Sequence, residues 1–211
     1  MVAIDKNLNQ NSPYFNGQIA LVSGRLRLSR KLTARSKAMV DTTNQTIPID
    51  KLVCDVAVDG HHVAELAGSI KKVGNIVPVV VRAETFKIID GFHRVSAMKA
   101  AGMTEVNCIV VQCDEEGFWD LRIISAVTHK TVAFARCAEW IEEAFKSSDD
   151  PTVRLYANAY SIFRAHRKNG TNRAAKEWVE GKNTKWGVGL GQVEQWLAAW
   201  HGLAEENKAD V

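Results

Sequence analysis

Apolar positions follow two rules along this chain. From Thr46 to Cys113 they form short runs interrupted by helical stretches, and after Asp114 they recur at helical spacing almost throughout. In the first stretch, "IPIDKLV" predicts a short strand with Pro48 near its start, where proline is tolerated. Val63, Leu66, Ala67, Ile70 and Val73 predict a helix, with Gly74 as its C-cap. The nearly all-apolar Ile76–Arg82 predicts a strand buried on both faces. Phe86–Asp90 predicts a further strand, Arg94–Ala101 a helix closed by Gly102, and Glu105–Cys113 a last strand. Beyond it, helices are predicted at about 115–127, 132–146, 152–167, 172–181 and 190–202. Asp149 or Asp150 before Pro151 reads as a helix start. The predicted fold class is α+β: a small mixed-sheet domain at 46–114, then an all-helical portion at 115–211. Upstream, Ile19–Val22 and Arg25–Leu28 flank Ser23-Gly24 and predict a hairpin within a basic N-terminal arm at 1–45.

Composition adds little until it is divided by region. The 211 residues are 46% hydrophobic and 24% charged, which suits a globular chain with a real core. The net charge of +3 conceals segregation. Residues 1–45 hold seven Lys/Arg against two Asp/Glu, 46–150 eleven against sixteen, and 151–211 nine against six. Basic ends around an acidic middle suit a protein whose ends touch a polyanion. No apolar run reaches membrane-spanning length, and the first residues lack a secretory pattern, so the expectation is a cytoplasmic protein with no membrane partner. The four cysteines form no Cys-x-x-Cys pair and are expected to be reduced thiols. Cys108 and Cys113 lack a second ligand pair of zinc spacing, and His61-His62 with Cys54 is only a minor alternative, so no metal site is expected.

The chemistry concentrates in "KIIDGFHRVSAMKAAG", Lys87–Gly102. A strand ends at Asp90-Gly91 and a helix begins at His93-Arg94. The first N–H groups of a helix lack intrahelical acceptors, and the helix dipole turns its positive end there. Gly91 permits close backbone approach, while His93 and Arg94 add donors, Arg in a bidentate fork. Together they predict an oxyanion site, with phosphate as the ligand. The alternative is that Arg94 pairs with Asp90 or a neighbouring carboxylate and His93 only caps the fold.

The run "IVPVVVR…FKIIDGFHRVSAMKAAGMTEVNCIVV" resembles the N-terminal domain of the ParB/sulfiredoxin superfamily. The elements of the resemblance are an apolar helix ending in Gly (Ala64–Gly74), a Pro-led strand (Pro78–Val81), an Asp-Gly-x-x-Arg turn (Ile89–Arg94), an Ala-rich helix ending in Gly (Ala97–Gly102) and a closing strand (Val106–Val111). It implies that Gly91, His93 and Arg94 contact nucleotide phosphates. Phe92 replaces the reactive Cys of sulfiredoxins, which removes their thiol chemistry. Partition ParB proteins carry Glu-Asn two helices later, in a motif that meets CTP and metal; here Thr128 and His129 occupy those positions, leaving His129 and Lys130 as phosphate candidates. The form also resembles ParB-like serine kinases, for which Asp55, Asp59 and Asp90 are the candidate bases.

Asn172–Trp200 reads as a helix-turn-helix, with the turn at Gly187-Val188-Gly189 and an apolar stripe of Val193, Trp196, Leu197 and Trp200. Its tryptophans are assigned to the core. A DNA-reading second helix would present Gln192 and Gln195 to bases, with Arg173, Lys182 and Lys185 on phosphate and Arg167 and Lys168 holding the backbone nearby. The expected function is a non-enzymatic, ParB-like binder of double-stranded DNA in plasmid, phage or mobile-element maintenance or transcriptional control. A nucleoside triphosphate with Mg²⁺ is its candidate switch, and a homodimer its expected assembly. The rivals are a phosphotransferase or nuclease on the same scaffold, and a ligand-free interaction module.

Overall fold

The computed structural model describes residues 20–22, 25–27, 41–129, 134–167, 173–203 and 205–208. The chain divides into two units, Met1–Thr42 and Thr43–Val211. In the first, β1 (Ala20–Val22) and β2 (Arg25–Arg27) pair antiparallel with Leu21 opposite Leu26, as the Ser23-Gly24 break predicts.

The second unit is built on a four-stranded mixed sheet, in the order β3 (Thr42–Pro48), β6 (Glu105–Val111), β4 (Val79–Arg82), β5 (Ile88–Asp90). Between β3 and β4 runs α1 (Gly60–Val73), and between β5 and β6 runs α2 (Phe92–Ala100). β4 and β6 are parallel, β4 and β5 antiparallel. Val79, Val81 and Ile88 are fully enclosed, as are Ala97 and Met98 on α2. The predicted helix caps hold: Gly74 has φ 74° and Gly102 φ 81°. The run Ile76–Arg82 departs from expectation. Its strand starts only at Val79, and Ile76 and Val77 are 78% and 57% exposed, because the segment leaving Gly74 crosses open surface before it joins the sheet.

After the sheet come α3 (Glu115–His129), α4 (Phe134–Lys146), α5 (Pro151–Arg154), α6 (Ala159–Arg167), α7 (Arg173–Trp186), α8 (Leu190–Gly202) and α9 (Glu205–Lys208). Asp150 caps α5 by accepting from Thr152 N–H, with Pro151 in the first helical position. The single helix predicted over 152–167 is two. It breaks at 155–158, where Leu155 is 83% exposed and Asn158 restarts the chain by accepting from Ser161 N–H. The helix predicted to end at 181 continues to Trp186, where Gly187, at φ 68°, terminates it. Trp186, Trp196 and Trp200 are buried, as the apolar stripe implies. α3 packs on both β5 and α7, so it bridges sheet and helices within this unit.

Candidate functional site: two converging helix starts

Gly91 occupies a conformation that L-residues with a Cβ rarely adopt, with φ 108°. A Cβ here would sit 3.1 Å from Arg94 Nη2 and 3.2 Å from Val79 Cγ2, so space as well as φ selects glycine. Gly91 is the N-cap of α2 and offers no side chain to the first-turn N–H groups. The start of α1 differs: Asp59 is its N-cap and accepts from His61 N–H at 2.9 Å. α1 and α2 pack along each other, and their first turns meet where Asp59 N–H donates to His93 Nε2 at 3.3 Å. The rings of His62 and His93 stand edge to face with centroids 5.1 Å apart.

This contact fixes the state of His93. An imidazole nitrogen that accepts a hydrogen bond is unprotonated, so the neutral ring carries its proton on Nδ1. Burial holds the His93 pKa below the usual histidine value, proximity to His62 lowers it further, and Asp59 pulls weakly the other way. Two helix starts, each the positive end of a dipole, and a ring with one N–H to donate converge on one small region. His61 and His62 lie 3.8 and 3.9 Å from Glu65, and these exposed pairs contribute little.

Arg94 follows the alternative that the sequence left open, pairing with Asp90 rather than facing a ligand. Its Nη2 pairs with Asp90 Oδ2 at 2.6 Å, and its Nη1 donates to the Val77 and Pro78 carbonyls at 2.9 and 2.7 Å. The guanidinium therefore ties the β5–α2 turn to the segment entering β4, and its fork is spent on internal acceptors. Of the expected trio, Gly91 and His93 stay at the convergence and Arg94 is withdrawn into the fold. The three candidate bases are likewise engaged. Asp90 holds Arg94, Asp59 caps α1, and Asp55 is the counter-ion of Arg122.

Sequence reading passed over Arg122, which is 1% exposed. Its guanidinium lies 4.5–5.4 Å from the ring centroids of Phe118, Phe92, Trp140 and Trp119. It donates to the Ile88 carbonyl through Nε at 2.9 Å and Nη2 at 2.6 Å, and to Asp55 through both Nη atoms. The clue was local: in "FWDLR", Phe118 and Trp119 lie four and three residues before Arg122, on its helix face. The spacing of His62 suggests only a metal candidate, because nothing in it points to His93. Among the described residues no cluster of His, Cys, Asp or Glu has the arrangement to hold a metal ion.

On the other flank of α3, Asp120 is 1% exposed and accepts from Lys182 Nζ at 2.5 Å, from Lys185 Nζ and from Trp186 Nε1 at 2.7 Å. Lys182 also meets Glu116 at 2.7 Å and is buried. The two lysines expected on DNA phosphate thus clasp α7 to α3. A carboxylate buried this deeply needs such donors, and "KNTKW" supplies them from one face of α7. Gln192 and Gln195 do lie exposed on α8, opposite the buried Val193, Trp196 and Trp200. His129 is exposed at the end of α3. Arg167 and Arg173 lie in α6 and α7, their side chains outside the described set, and Lys130 and Lys168 lie outside the described residues.

Residues 33–127 match the ParB N-terminal domain. The structure resembles that of a pNOB8-like ParB N-domain in its C222₁ crystal form, with TM-score 0.50 and 13% identity, over 78% of this chain and 72% of that one. Two structures of C-terminally truncated chromosome-partitioning ParB from Caulobacter crescentus match at lower scores. One is complexed with CTP-γ-S (TM-score 0.34, 17% identity, 78% and 81% coverage), the other with the centromeric parS site (0.30, 15%, 79% and 96%). No curated protein sequence matches the chain.

Proposed function

We propose that this chain, whose residues 33–127 match the ParB N-terminal domain, is a DNA-binding protein of the partition or transcriptional-control type, switched by nucleotide bound where α1 and α2 begin. The observation that carries the reading is the uncapped first turn of α2 facing the start of α1, with neutral His93 between them. Backbone N–H groups are the donors that suit triphosphate oxygens there, and His93 Nδ1–H adds one more. The phosphate contacts are assigned to the Phe92 and His93 amides rather than to the Arg94 guanidinium, and Mg²⁺ would accompany the triphosphate as its usual counter-ion. His129 and Lys130 are further phosphate candidates from the end of α3.

Double-stranded DNA is assigned to the helical part. Gln192 and Gln195 lie on the outward face of α8 and can pair with adenine edges. Arg167, Lys168 and Arg173 are the phosphate candidates, with Lys182 and Lys185 removed from that role. A homodimer on a palindromic site, acting in the cytoplasm for plasmid, phage or mobile-element maintenance, completes the proposal. No described helix is long and apolar enough to cross a membrane. The phosphotransferase or nuclease reading has no observation in its favour, since its three carboxylates each serve the fold.

A thermal-shift panel tests this with the four ribonucleoside triphosphates, Mg²⁺ and duplex DNA. Ligands that bind the folded form raise the melting temperature. At least one triphosphate and duplex DNA should do so, the latter with affinity falling steeply as salt rises. Stabilisation by neither overturns the proposal. Turnover of a triphosphate without DNA binding would favour the enzyme instead.

A further inference from the structure

One side chain is bonded to both walls of the convergence. Arg122 donates twice to the Ile88 carbonyl, three residues before Gly91, and its guanidinium lies 5.1 Å from the ring centroid of Phe92, which opens α2. The same guanidinium grips Asp55, four residues before the Asp59 that caps α1. Phe118, Trp119 and Trp140 enclose Arg122, so it has no route to solvent, whereas the Asp55 side chain is 33% exposed. The segment entering α1 and the segment entering α2 are thus measured off one rigid cation.

We infer that Arg122 and Asp55 form a positioning pair that sets the gap between the first turns of α1 and α2, and through that gap the affinity for a triphosphate; this rests on the nucleotide reading above. Neither residue touches the ligand. The Asp59 amide, held by His93 Nε2 across the gap, reports the spacing without any ligand.

The test compares the 211-residue chain with its Asp55→Asn variant, which is nearly isosteric and leaves Arg122 in place. Two quantities are read well below the melting temperature: hydrogen exchange of the Asp59 amide, and affinity for CTP and for inorganic triphosphate. The expected result is Asp59 exchange faster by about tenfold and both affinities weaker by about tenfold. A lower melting temperature with exchange and affinities unchanged would make the pair merely structural and overturn the inference. Faster exchange in a protein whose wild type binds no triphosphate would sink the nucleotide reading, and the affinity half of the inference with it. If Asp55→Asn does not fold, Asp55→Glu keeps the charge on a longer arm. Both readouts should still leave their wild-type values, and unchanged values overturn the inference.

Discussion

α3 carries two buried charges two residues apart, and they are held in opposite ways. Arg122 faces the sheet; among its described partners it has one carboxylate, one doubly used carbonyl and four aromatic rings. Asp120 faces α7, where two ammonium groups and an indole N–H surround it. Desolvation pulls the Arg122 pKa down, and its hydrogen bond and attraction to Asp55 oppose that. The cation is thus stabilised largely by polarisable faces and by one partner that solvent can reach. The anion has three donors, of which Lys182 and Trp186 are buried and Lys185 is 37% exposed. Each arrangement has one partner that solvent reaches, Asp55 on the first flank and Lys185 on the second; they differ in that the buried cation has a single counter-ion and the buried anion has two.

Breaking the clasp around Asp120 should have the largest effect. Asp120→Ala leaves buried Lys182 with Glu116 as its remaining described anion and takes the acceptor from Trp186 Nε1, and breaking a buried charge cluster costs up to about 3–5 kcal/mol. Urea unfolding should show a loss of that size, and a loss near zero would mean that the clasp contributes nothing. The turn is next. Arg94→Ala strands Asp90 and two carbonyls, which at charge-assisted bond strengths costs about 1.5–3 kcal/mol. Triphosphate binding should nevertheless survive in the folded variant, because the fork is assigned no ligand contact. If binding vanished while the fold stayed intact, Arg94 would return to the site.

A smaller effect separates the two regions by pH. The His93 pKa lies below its unfolded value of about 6.5, so the unfolded chain binds the extra proton first as pH falls. Its contribution to stability is complete above about pH 6.5 and declines from there towards the folded pKa. Urea titrations between pH 7.5 and 5 should show a decline that is steeper in wild type than in His93→Gln, and equal slopes would count against the Asp59–His93 contact. Least affected should be stability in Gln192→Ala and Gln195→Ala, which stays within about 0.5 kcal/mol because both side chains are exposed. Their effect should fall on DNA affinity alone.

The elements were largely legible because period and punctuation agree. Gly74 and Gly102 stop their helices, Asp150-Pro151 starts one, and Gly187 turns one. Misreadings fell where an apolar run met no partner, as at Ile76 and Val77, or where a helical period crossed a break that a single Asn could seed, as at Asn158. The site was legible as a place and not as a wiring diagram. Gly91 and His93 could be found because backbone geometry and first-turn chemistry are local. The Asp90 partner of Arg94 was legible as an alternative four residues away, whereas the Val77 and Pro78 carbonyls and the acid of Lys182 and Lys185 were not: Asp120 lies 62 and 65 residues from its two lysines. A basic residue on a predicted recognition motif looks the same in one dimension whether it faces phosphate or a buried acid. Arg122 and His62 were missed for the same reason, since each takes its role from residues on another element.

The central claim is that an oxyanion binds on backbone amides where α1 and α2 begin. The most direct measurement is an NMR titration of the amide-labelled protein with ribonucleoside triphosphates and Mg²⁺. The amides of Phe92, His93 and Asp59–His62 should shift together and saturably, in wild type and in Arg94→Ala alike. Triphosphate that binds while leaving those amides unmoved, or that binds nowhere, would contradict the account.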